Sequence, residues 1–112
     1  MSRSTAAKEA FAALQHSIEG EVRTDSLSKM LYSTDASIYQ VEPYGVVIPR
    51  HEDDVIRTVQ VASTYGVPII PRAGGTSLAG QCVGKGIVLD ISKYMNKMLD
   101  FNPEEEWALV QP

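Results

Sequence analysis

The stretch VVIPRHEDDVIRTVQVASTYGVPIIP, residues 46–71, decides the fold. Val46–Ile48 is a short run of β-branched residues that Pro49 ends, and such a run predicts a buried strand. Residues 67–70 predict a second strand, which Pro71 closes. Because the segment between them has a helical pattern, the stretch predicts a strand–helix–strand unit with parallel strands and a right-handed crossover.

The helix inside this unit has a marked start and a marked end. His51 precedes it, and the three carboxylates of residues 52–54 fall in its first turn, where they interact favourably with the helix dipole. Gly66 ends the helix, and Pro68 prevents its return. The helical spacing predicts a buried stripe formed by Val55, Ile56, Val59 and Ala62.

The N-terminal side predicts two more helices. Residues 5–19 predict the first, with Thr5 as its cap and Gly20 at its end. Its apolar face is formed by Ala7, Phe11, Leu14 and Ile18. Asp25 is expected to cap a short second helix. That second helix carries Leu27, Met30 and Leu31.

The C-terminal side predicts two further strands, Ile87–Ile91 and Trp107–Val110. Residues 93–99 are expected to form a helical turn or an irregular link, and residues 104–106 a solvated turn. The last strand has no evident partner, so we expect the sequence to be part of a longer polypeptide. Together these elements predict an α+β fold with a small parallel sheet flanked by helices.

Composition excludes several classes of protein. The chain has 112 residues, of which 44% are hydrophobic and 21% are charged, so it has room for one domain. A net charge of −4 and a pI of about 5.0 argue against a nucleic-acid-binding protein, which would carry a basic excess. No apolar run approaches the ~20 residues that are needed to cross a bilayer.

Cysteine and histidine are scarce. The single cysteine, Cys82, excludes an internal disulfide and fits a reducing compartment, so a cytoplasmic location is expected. Together with His16 and His51 it offers too few ligands for a metal site, so no metal is expected. No nucleophile–base pair is evident, and no catalytic residue is therefore assigned.

The stretch PRAGGTSLAGQ, residues 71–81, has neither helical nor strand periodicity. Gly74–Gly75 allow neighbouring backbone N–H groups to point into one concavity, and Thr76–Ser77 add hydroxyl donors. Arg72 and Lys85 are candidates to offset negative charge, and the interpretation of each as an ordinary surface cation is equally open. Such a loop suits a phosphate or pyrophosphate, while a plain surface turn and a protein-binding loop remain alternatives at this point.

Two familiar phosphate-binding motifs do not fit this loop. Gly75 and Gly80 have the spacing of a P-loop, but Gln81 and Cys82 stand where Lys and Ser or Thr are needed, so NTP hydrolysis is not expected. A Rossmann motif needs G-x-G-x-x-G at the start of a helix, whereas Gly74 and Gly75 are adjacent and the loop leads to a strand. What remains is a loop that grips a diphosphate with backbone amides and without a helix dipole.

Several other side chains are interpreted as structural. Asp35 is expected to lie in a turn or cap, and Asp90 is expected to have a structural role in its strand, from which it is able to hydrogen-bond into the glycine-rich loop. Scattered tyrosines are most often core or rim residues. They are Tyr32, Tyr39, Tyr44, Tyr65 and Tyr94.

These segments resemble a known family. PRAGGTSLAGQ (residues 71–81), preceded by YGVVIPR (44–50), is similar to the FAD-binding domain of the vanillyl-alcohol oxidase (PCMH-type) flavoprotein family. YSTDASIY (32–39) and IVLDISK (87–93) resemble its branch of D-lactate dehydrogenases and glycolate oxidases. The resemblance covers roughly residues 25–112, and it implies that these form part of an FAD-binding domain.

The resemblance implies how the loop is used. In the family this loop wraps the FAD pyrophosphate, mainly through backbone N–H groups of residues 74–77. Ala73 stands at the first position of the family's Gly-Gly-Gly. Thr76 stands where some relatives carry a His that attaches FAD covalently, so non-covalent FAD is expected. The implied cofactor-binding residues are Arg72, Ala73, Gly74, Gly75, Thr76, Ser77, Leu78 and Gly80.

The resemblance also implies an activity. It identifies the chain as the N-terminal part of an FAD-dependent oxidoreductase that oxidises a 2-hydroxy acid such as D-lactate or glycolate. The substrate domain and catalytic residues are implied to lie beyond Pro112, residues 1–24 to form an N-terminal helical extension, and the segment alone to be inactive. A non-catalytic module that binds a nucleotide or anion through the same loop is the alternative. The oligomeric state is not predicted.

Overall fold

The computed structural model describes residues 2–112, in which it has three helices and six strands. In chain order these are α1 (Arg3–Gln15), β1 (Glu21–Arg23), α2 (Ser26–Leu31), β2 (Gly45–Ile48), α3 (Glu52–Tyr65), β3 (Ile69–Arg72), β4 (Ile87–Asp90), β5 (Met98–Asn102) and β6 (Trp107–Val110). No helix in this part of the chain is both long enough and apolar enough to cross a bilayer.

Four strands form the main sheet, in the order β1–β2–β4–β3. β2 and β3 both run parallel to β4, with Val46 and Ile70 opposite Val88, while β1 is antiparallel to β2. The predicted strand–helix–strand unit is confirmed in its parallel strands, but β4 lies between the two. The predicted fold class, a small parallel sheet flanked by helices, is confirmed.

The two faces of this sheet are covered unequally. α1 and α3 cover one face and pack on Val47, Ile87 and Leu89 in the main core. The opposite face carries a smaller cluster of Val46, Ile48 and Val88, against which Tyr32, Ile70 and Tyr94 pack. The two clusters follow from strand geometry, because successive side chains of a strand point to opposite faces.

The helix caps are partly those that the sequence predicts. Ser2 caps α1, since its Oγ accepts a hydrogen bond from the main-chain N–H of Thr5 at 3.2 Å, and the prediction of Thr5 as the cap is wrong. α1 also ends at Gln15, well before the predicted end at Gly20. Asp25 caps α2 as predicted. Ala7, Phe11 and Leu14 of the predicted apolar face are buried as expected, whereas Ile18 lies beyond the end of the helix and is half-buried.

α3 buries a different stripe from the predicted one. Ile56 and Val59 are 47% and 49% exposed, so their predicted burial is wrong. The buried residues of α3 are Asp54, Thr58, Val61 and Ala62. Three main-chain N–H groups donate to the carboxylate of Asp54: those of Glu19, Gly20 and Arg50, at 3.0, 2.8 and 2.9 Å. Because this carboxylate must face inward to meet its donors, the helix turns Ile56 and Val59 toward solvent.

β3 continues through Pro71 to Arg72, so the prediction that Pro71 closes the strand is wrong. Proline is tolerated because β3 is an edge strand, in which alternate N–H groups have no partner strand to meet. The consequence matters for the site. The strand carries Arg72 to the end of the sheet, directly opposite Asp90 of β4.

β6 has a partner that the sequence pattern did not reveal. β6 pairs antiparallel with β5. The prediction of a helical turn or irregular link over residues 93–99 is therefore wrong at its end, because β5 begins at Met98. The predicted solvated turn is confirmed, since residues 104–106 are exposed. β5 escapes prediction because almost all of its residues are exposed, which leaves no alternation of buried and exposed positions to recognise.

The segments on either side of residue 24 contact each other. α1 packs against α3, and β1 pairs with β2. The division into an N-terminal extension, residues 1–24, and a main domain, residues 25–112, stays a prediction.

Candidate functional site

The glycine-rich loop, residues 73–86, joins the end of β3 to the start of β4 without an intervening helix. Because β3 and β4 are parallel neighbours, the loop leaves one end of the sheet and returns to the other. It passes Ile70, whose Cδ1 would lie 3.2 Å from a Cβ placed on Gly84. The loop therefore lies on the same sheet face as Tyr32, the face that the helices α1 and α3 leave open.

A second segment, residues 32–41, runs against this loop and is called the crossing segment below. The main-chain N–H of Ala36 donates to the carbonyl oxygen of Gly75 at 2.9 Å. The ring of Tyr39 packs on Gly80, where a Cβ would approach its Cδ2 to 2.7 Å. The crossing segment therefore contacts the loop near its beginning and near its middle.

Asp35 ties the crossing segment to the later part of the loop. Its carboxylate accepts hydrogen bonds from the hydroxyl and main-chain N–H of Ser37 and, at 3.3 Å, from the main-chain N–H of Cys82. The Ser37 hydroxyl, followed by these N–H groups, holds the pKa of Asp35 below its usual range. Asp35 is thus a turn residue, as predicted, and an anionic anchor for the loop.

Arg72 ties the crossing segment to the base of the loop. Its Nη1 donates to the carbonyl oxygen of Thr34 at 2.7 Å and to that of Cys82 at 3.5 Å. Arg72 is half-buried. The positive charge of Arg72 therefore faces a carbonyl oxygen of the crossing segment and one of the glycine-rich loop. The guanidinium also lies beside Gly75.

The backbone N–H groups of residues 74–78 are a consecutive row of open donors in the first part of the loop. Within the described chain, none of the five donates a hydrogen bond. The peptide bond after Gly75 is trans, so the N–H of Thr76 points opposite to the Gly75 carbonyl, which faces Ala36. The Thr76 N–H therefore points away from the crossing segment. Gly75 makes this turn possible because its φ is +70°, a conformation that side chains with a Cβ rarely adopt.

The hydroxyl of Ser77 is used inside the loop. It bonds to the side-chain oxygen of Gln81 and accepts from the N–H groups of Ala79 and Gln81, both at 3.4 Å. The sequence predicts this hydroxyl as a donor to a ligand. In the structure this hydroxyl instead bonds within the loop, to Ala79 and Gln81. The main-chain N–H of Ser77 is a separate donor and stays open in the described chain.

Two apolar side chains stand out from the two loops. Ile38 of the crossing segment is 94% exposed and Leu78 of the glycine-rich loop is 81% exposed, the highest values among the exposed large hydrophobic residues. Between the loops lies a shallow cavity of about 220 Å³, lined by Tyr39, Val41, Ala79, Gly80 and Val83. Polar donors and apolar surface therefore occur side by side, as a ligand with both a charged and an aromatic part requires.

Asp90 is placed behind the loop rather than in contact with it. Its buried carboxylate accepts the hydroxyl of Tyr32 and the main-chain N–H of Ser92, the latter at 2.8 Å. Burial, and then the bond to Asp90, raises the pKa of Tyr32 to about 12, so Tyr32 stays a neutral donor. The predicted structural role of Asp90 is confirmed, although its bonds do not reach the glycine-rich loop.

All eight sequence-predicted cofactor-binding residues lie at the end of β3 or on the loop. Gly75 is buried, Arg72, Ser77 and Gly80 are half-buried, and Ala73, Gly74, Thr76 and Leu78 are exposed. Their role as cofactor-binding residues stays a prediction. Sequence reasoning missed how the crossing segment holds the loop, and the only signal for it was the run of small hydrogen-bonding residues 32–37.

Comparison with known proteins identifies the fold. The FAD binding domain family matches residues 43–112. The D-2-hydroxyglutarate dehydrogenase of Escherichia coli (strain K12) is 39% identical over 100 residues, covering 87% of this chain and 10% of that protein. The glycolate oxidase subunit GlcD of Bacillus subtilis (strain 168) is 38% identical over 86 residues, covering 75% of this chain and 18% of that protein.

A solved structure has the same fold. The 4-ethylphenol oxidase from Gulosibacter chungangensis superposes with a TM-score of 0.77 at 23% identity, over 95% of this chain and 22% of that one. The fold is thus that of a flavoprotein's cofactor-binding domain. The chain belongs to the FAD binding domain family, which confirms the resemblance and FAD as the cofactor. It spans about a tenth of the length of the D-2-hydroxyglutarate dehydrogenase that it matches.

Proposed function

We propose that the full-length protein carrying this segment is an FAD-dependent oxidoreductase that oxidises a 2-hydroxy acid, and that this segment seats the FAD diphosphate. The observation that carries the second part is the row of N–H groups on residues 74–78, none of which donates elsewhere in the described chain. A diphosphate is the part of FAD that accepts hydrogen bonds from such a row.

The residues present suit that cofactor. Gly75 has a φ of +70°, a conformation that residues with a Cβ rarely adopt, so a glycine at this point allows the turn that leaves the neighbouring N–H groups open. The exposed side chains of Leu78 and Ile38 offer apolar contact to the aromatic parts of FAD. Thr76 has no nucleophilic imidazole, which supports non-covalent attachment at this position.

The reaction class is supported by the names of the relatives. D-2-hydroxyglutarate and glycolate, which occur in those names, are both 2-hydroxy acids. When bound, FAD accepts two electrons, because the α-hydrogen of the acid leaves as a hydride and the hydroxyl loses a proton, which gives the 2-oxo acid. Within residues 2–112 we assign the protein's contribution to holding and orienting the cofactor, and we assign no proton transfer.

Domain limits and location are further parts of the proposal. We infer that residues 25–112 belong to the FAD-binding domain and that residues 1–24 extend it, since the family match at 43–112 falls wholly inside the first range. A cytoplasmic location is supported by Cys82, a lone free thiol.

The proposal is tested by purifying the full-length protein and recording its absorption spectrum before and after anaerobic addition of D-2-hydroxyglutarate, D-lactate or glycolate. We expect flavin bands that bleach with at least one of these acids and persist with L-2-hydroxyglutarate, L-lactate and 2-oxo acids. Flavin bands that no 2-hydroxy acid bleaches would contradict the proposed substrate class. A flavin-free protein that binds ADP would favour the non-catalytic nucleotide-binding module.

A further inference from the structure

The guanidinium of Arg72 lies against Gly75 at the base of the glycine-rich loop. A Cβ on Gly75 would lie 2.5 Å from Nη2 and 3.0 Å from Cζ of Arg72. The guanidinium therefore fills the space that every other amino acid needs for its Cβ. The N–H of Ala36 donates to the Gly75 carbonyl. Gly75 is thus held by a hydrogen bond and contacted by a packed side chain.

Arg72 is itself held in place from three directions. Its Nη1 donates to the carbonyl oxygens of Thr34 and Cys82, which belong to different segments. Its Cζ lies 5.2 Å from the centre of the Tyr32 ring, within the range of a cation–π interaction. The Tyr32 ring is fixed in turn by the bond of its hydroxyl to buried Asp90. A chain of contacts therefore runs from the sheet through Arg72 to Gly75.

We propose that Arg72 is a positioning residue for FAD, which sets the conformation of Gly75 and so the direction of the N–H groups of residues 74–77. This inference rests on the proposed function, since Arg72 would affect the binding of FAD indirectly, by holding the loop that binds it. It differs from the expectation that the charge of Arg72 contacts the diphosphate directly.

The planar shape of the guanidinium is what this role needs. The guanidinium lies over the Tyr32 ring while its Nη1 donates to carbonyl oxygens, a combination that suits a flat group with several donors. A lysine carries the same charge on a compact ammonium that does not reproduce the flat shape. Replacement of Arg72 by Lys therefore separates the two explanations, because a direct charge contact tolerates it and a positioning role does not.

The first experiment measures FAD affinity in the full-length protein with the variants Arg72→Lys and Arg72→Met. We expect both to raise the Kd for FAD by about tenfold or more relative to wild type. At saturating FAD, the visible circular dichroism of the bound flavin should also change. The matched control is Arg50→Lys, because the Cζ of Arg50 also lies over a tyrosine ring, 4.9 Å from the centre of the Tyr94 ring, and within residues 2–112 its side chain makes no hydrogen bond to the loop. That control should bind FAD as wild type does.

The second experiment does not depend on FAD. Amide hydrogen exchange in the apoprotein should quicken at Ala36 in Arg72→Lys, because the Gly75 carbonyl that its N–H meets is no longer fixed. Arg50→Lys should leave that exchange unchanged. Slower or unchanged exchange at Ala36 in a folded Arg72→Lys protein overturns the positioning role, whatever the cofactor proves to be.

The outcomes separate the two proposals. If wild type binds no FAD, the proposed function fails, while the exchange measurement still decides the role of Arg72 in the loop. If Arg72→Lys binds FAD within about twofold of wild type and Arg72→Met does not, Arg72 acts by direct charge and the positioning role is overturned. If Arg72→Lys fails to fold, Tyr32→Leu replaces it, since loss of the ring should weaken FAD binding in the same direction.

Discussion

The carbonyl oxygen of Gly75 accepts a hydrogen bond from the main-chain N–H of Ala36, at an N···O distance of 2.9 Å. These two residues are 39 positions apart in the chain, so the bond joins two separate segments and not neighbours in a turn. Because the peptide is trans, the bond also orients the next N–H, that of Thr76, away from the crossing segment. The direction of the proposed diphosphate donors thus depends on the crossing segment.

The first prediction concerns Gly75. Gly75→Asp in the full-length protein should abolish FAD retention, because it places bulk and negative charge beside the proposed diphosphate seat and forces a side chain into the space of Arg72. Absorbance of the purified variant measures the retained flavin.

The matched control is Gly66→Asp. Gly66 has a similar φ of +67°, but a Cβ there meets no atom within 4 Å. This control should keep its flavin. Full flavin occupancy in Gly75→Asp would show that the glycine-rich loop does not hold the cofactor.

The second prediction concerns Gly80. Gly80→Ala should destabilise the protein by roughly 1–3 kcal/mol, because an alanine at a φ of +75° is strained and its Cβ would lie 2.7 Å from Tyr39. Thermal unfolding monitored by circular dichroism measures the effect. Gly74→Ala is the control, since the nearest atom to its Cβ is 3.7 Å away. Equal midpoints for the two variants would refute the constraint at Gly80.

The third prediction concerns the buried carboxylate of Asp54. Burial alone would raise its pKa, but the N–H groups of Arg50, Glu19 and Gly20 outweigh that effect and hold the pKa below its usual value. Asp54→Asn should therefore cost about 2 kcal/mol of stability at neutral pH, because one amide oxygen replaces an anion that accepts three bonds. Amide exchange at Glu19 and Gly20 should quicken.

The sign of the pH dependence follows from the lowered pKa. The stabilisation by Asp54 is complete above the unfolded pKa of about 3.9 and is lost as the pH falls through the lower folded value. The melting temperature of Asp54→Asn should consequently fall less steeply than that of wild type as the medium is acidified below pH ~4. Asp53→Asn, an exposed neighbour, is the control and should follow wild type. Parallel curves for wild type and Asp54→Asn would contradict the assignment.

The fourth prediction concerns how the cofactor is attached. Because Thr76 lacks an imidazole, FAD should be released completely when the full-length holoprotein is precipitated with acid. The flavin absorbance of the supernatant and of the redissolved pellet provides the measurement. Flavin that remains with the washed pellet would show a covalent bond and would require another attachment residue.

Local signals explain which predictions succeeded. Val46–Ile48 and Gly66 are correctly placed because a β-branched run and a helix-ending glycine act over a few residues. Asp54 is the opposite case, since its position in the first turn suggested only an interaction with the helix dipole. Its donors Glu19 and Gly20 lie 35 and 34 positions away along the chain, and no local pattern reports such partners.

By itself, the sequence determined the elements of the parallel sheet, the position of the glycine-rich loop and the family to which the chain belongs, because each depends on residues that are close together along the chain. Tertiary structure alone decided that β4 lies between β2 and β3, and that the crossing segment supports the loop. Arg72 shows the reason. Its partner Thr34 is 38 positions away, so the bond that directs this side chain exists only after the sheet has brought the two segments together.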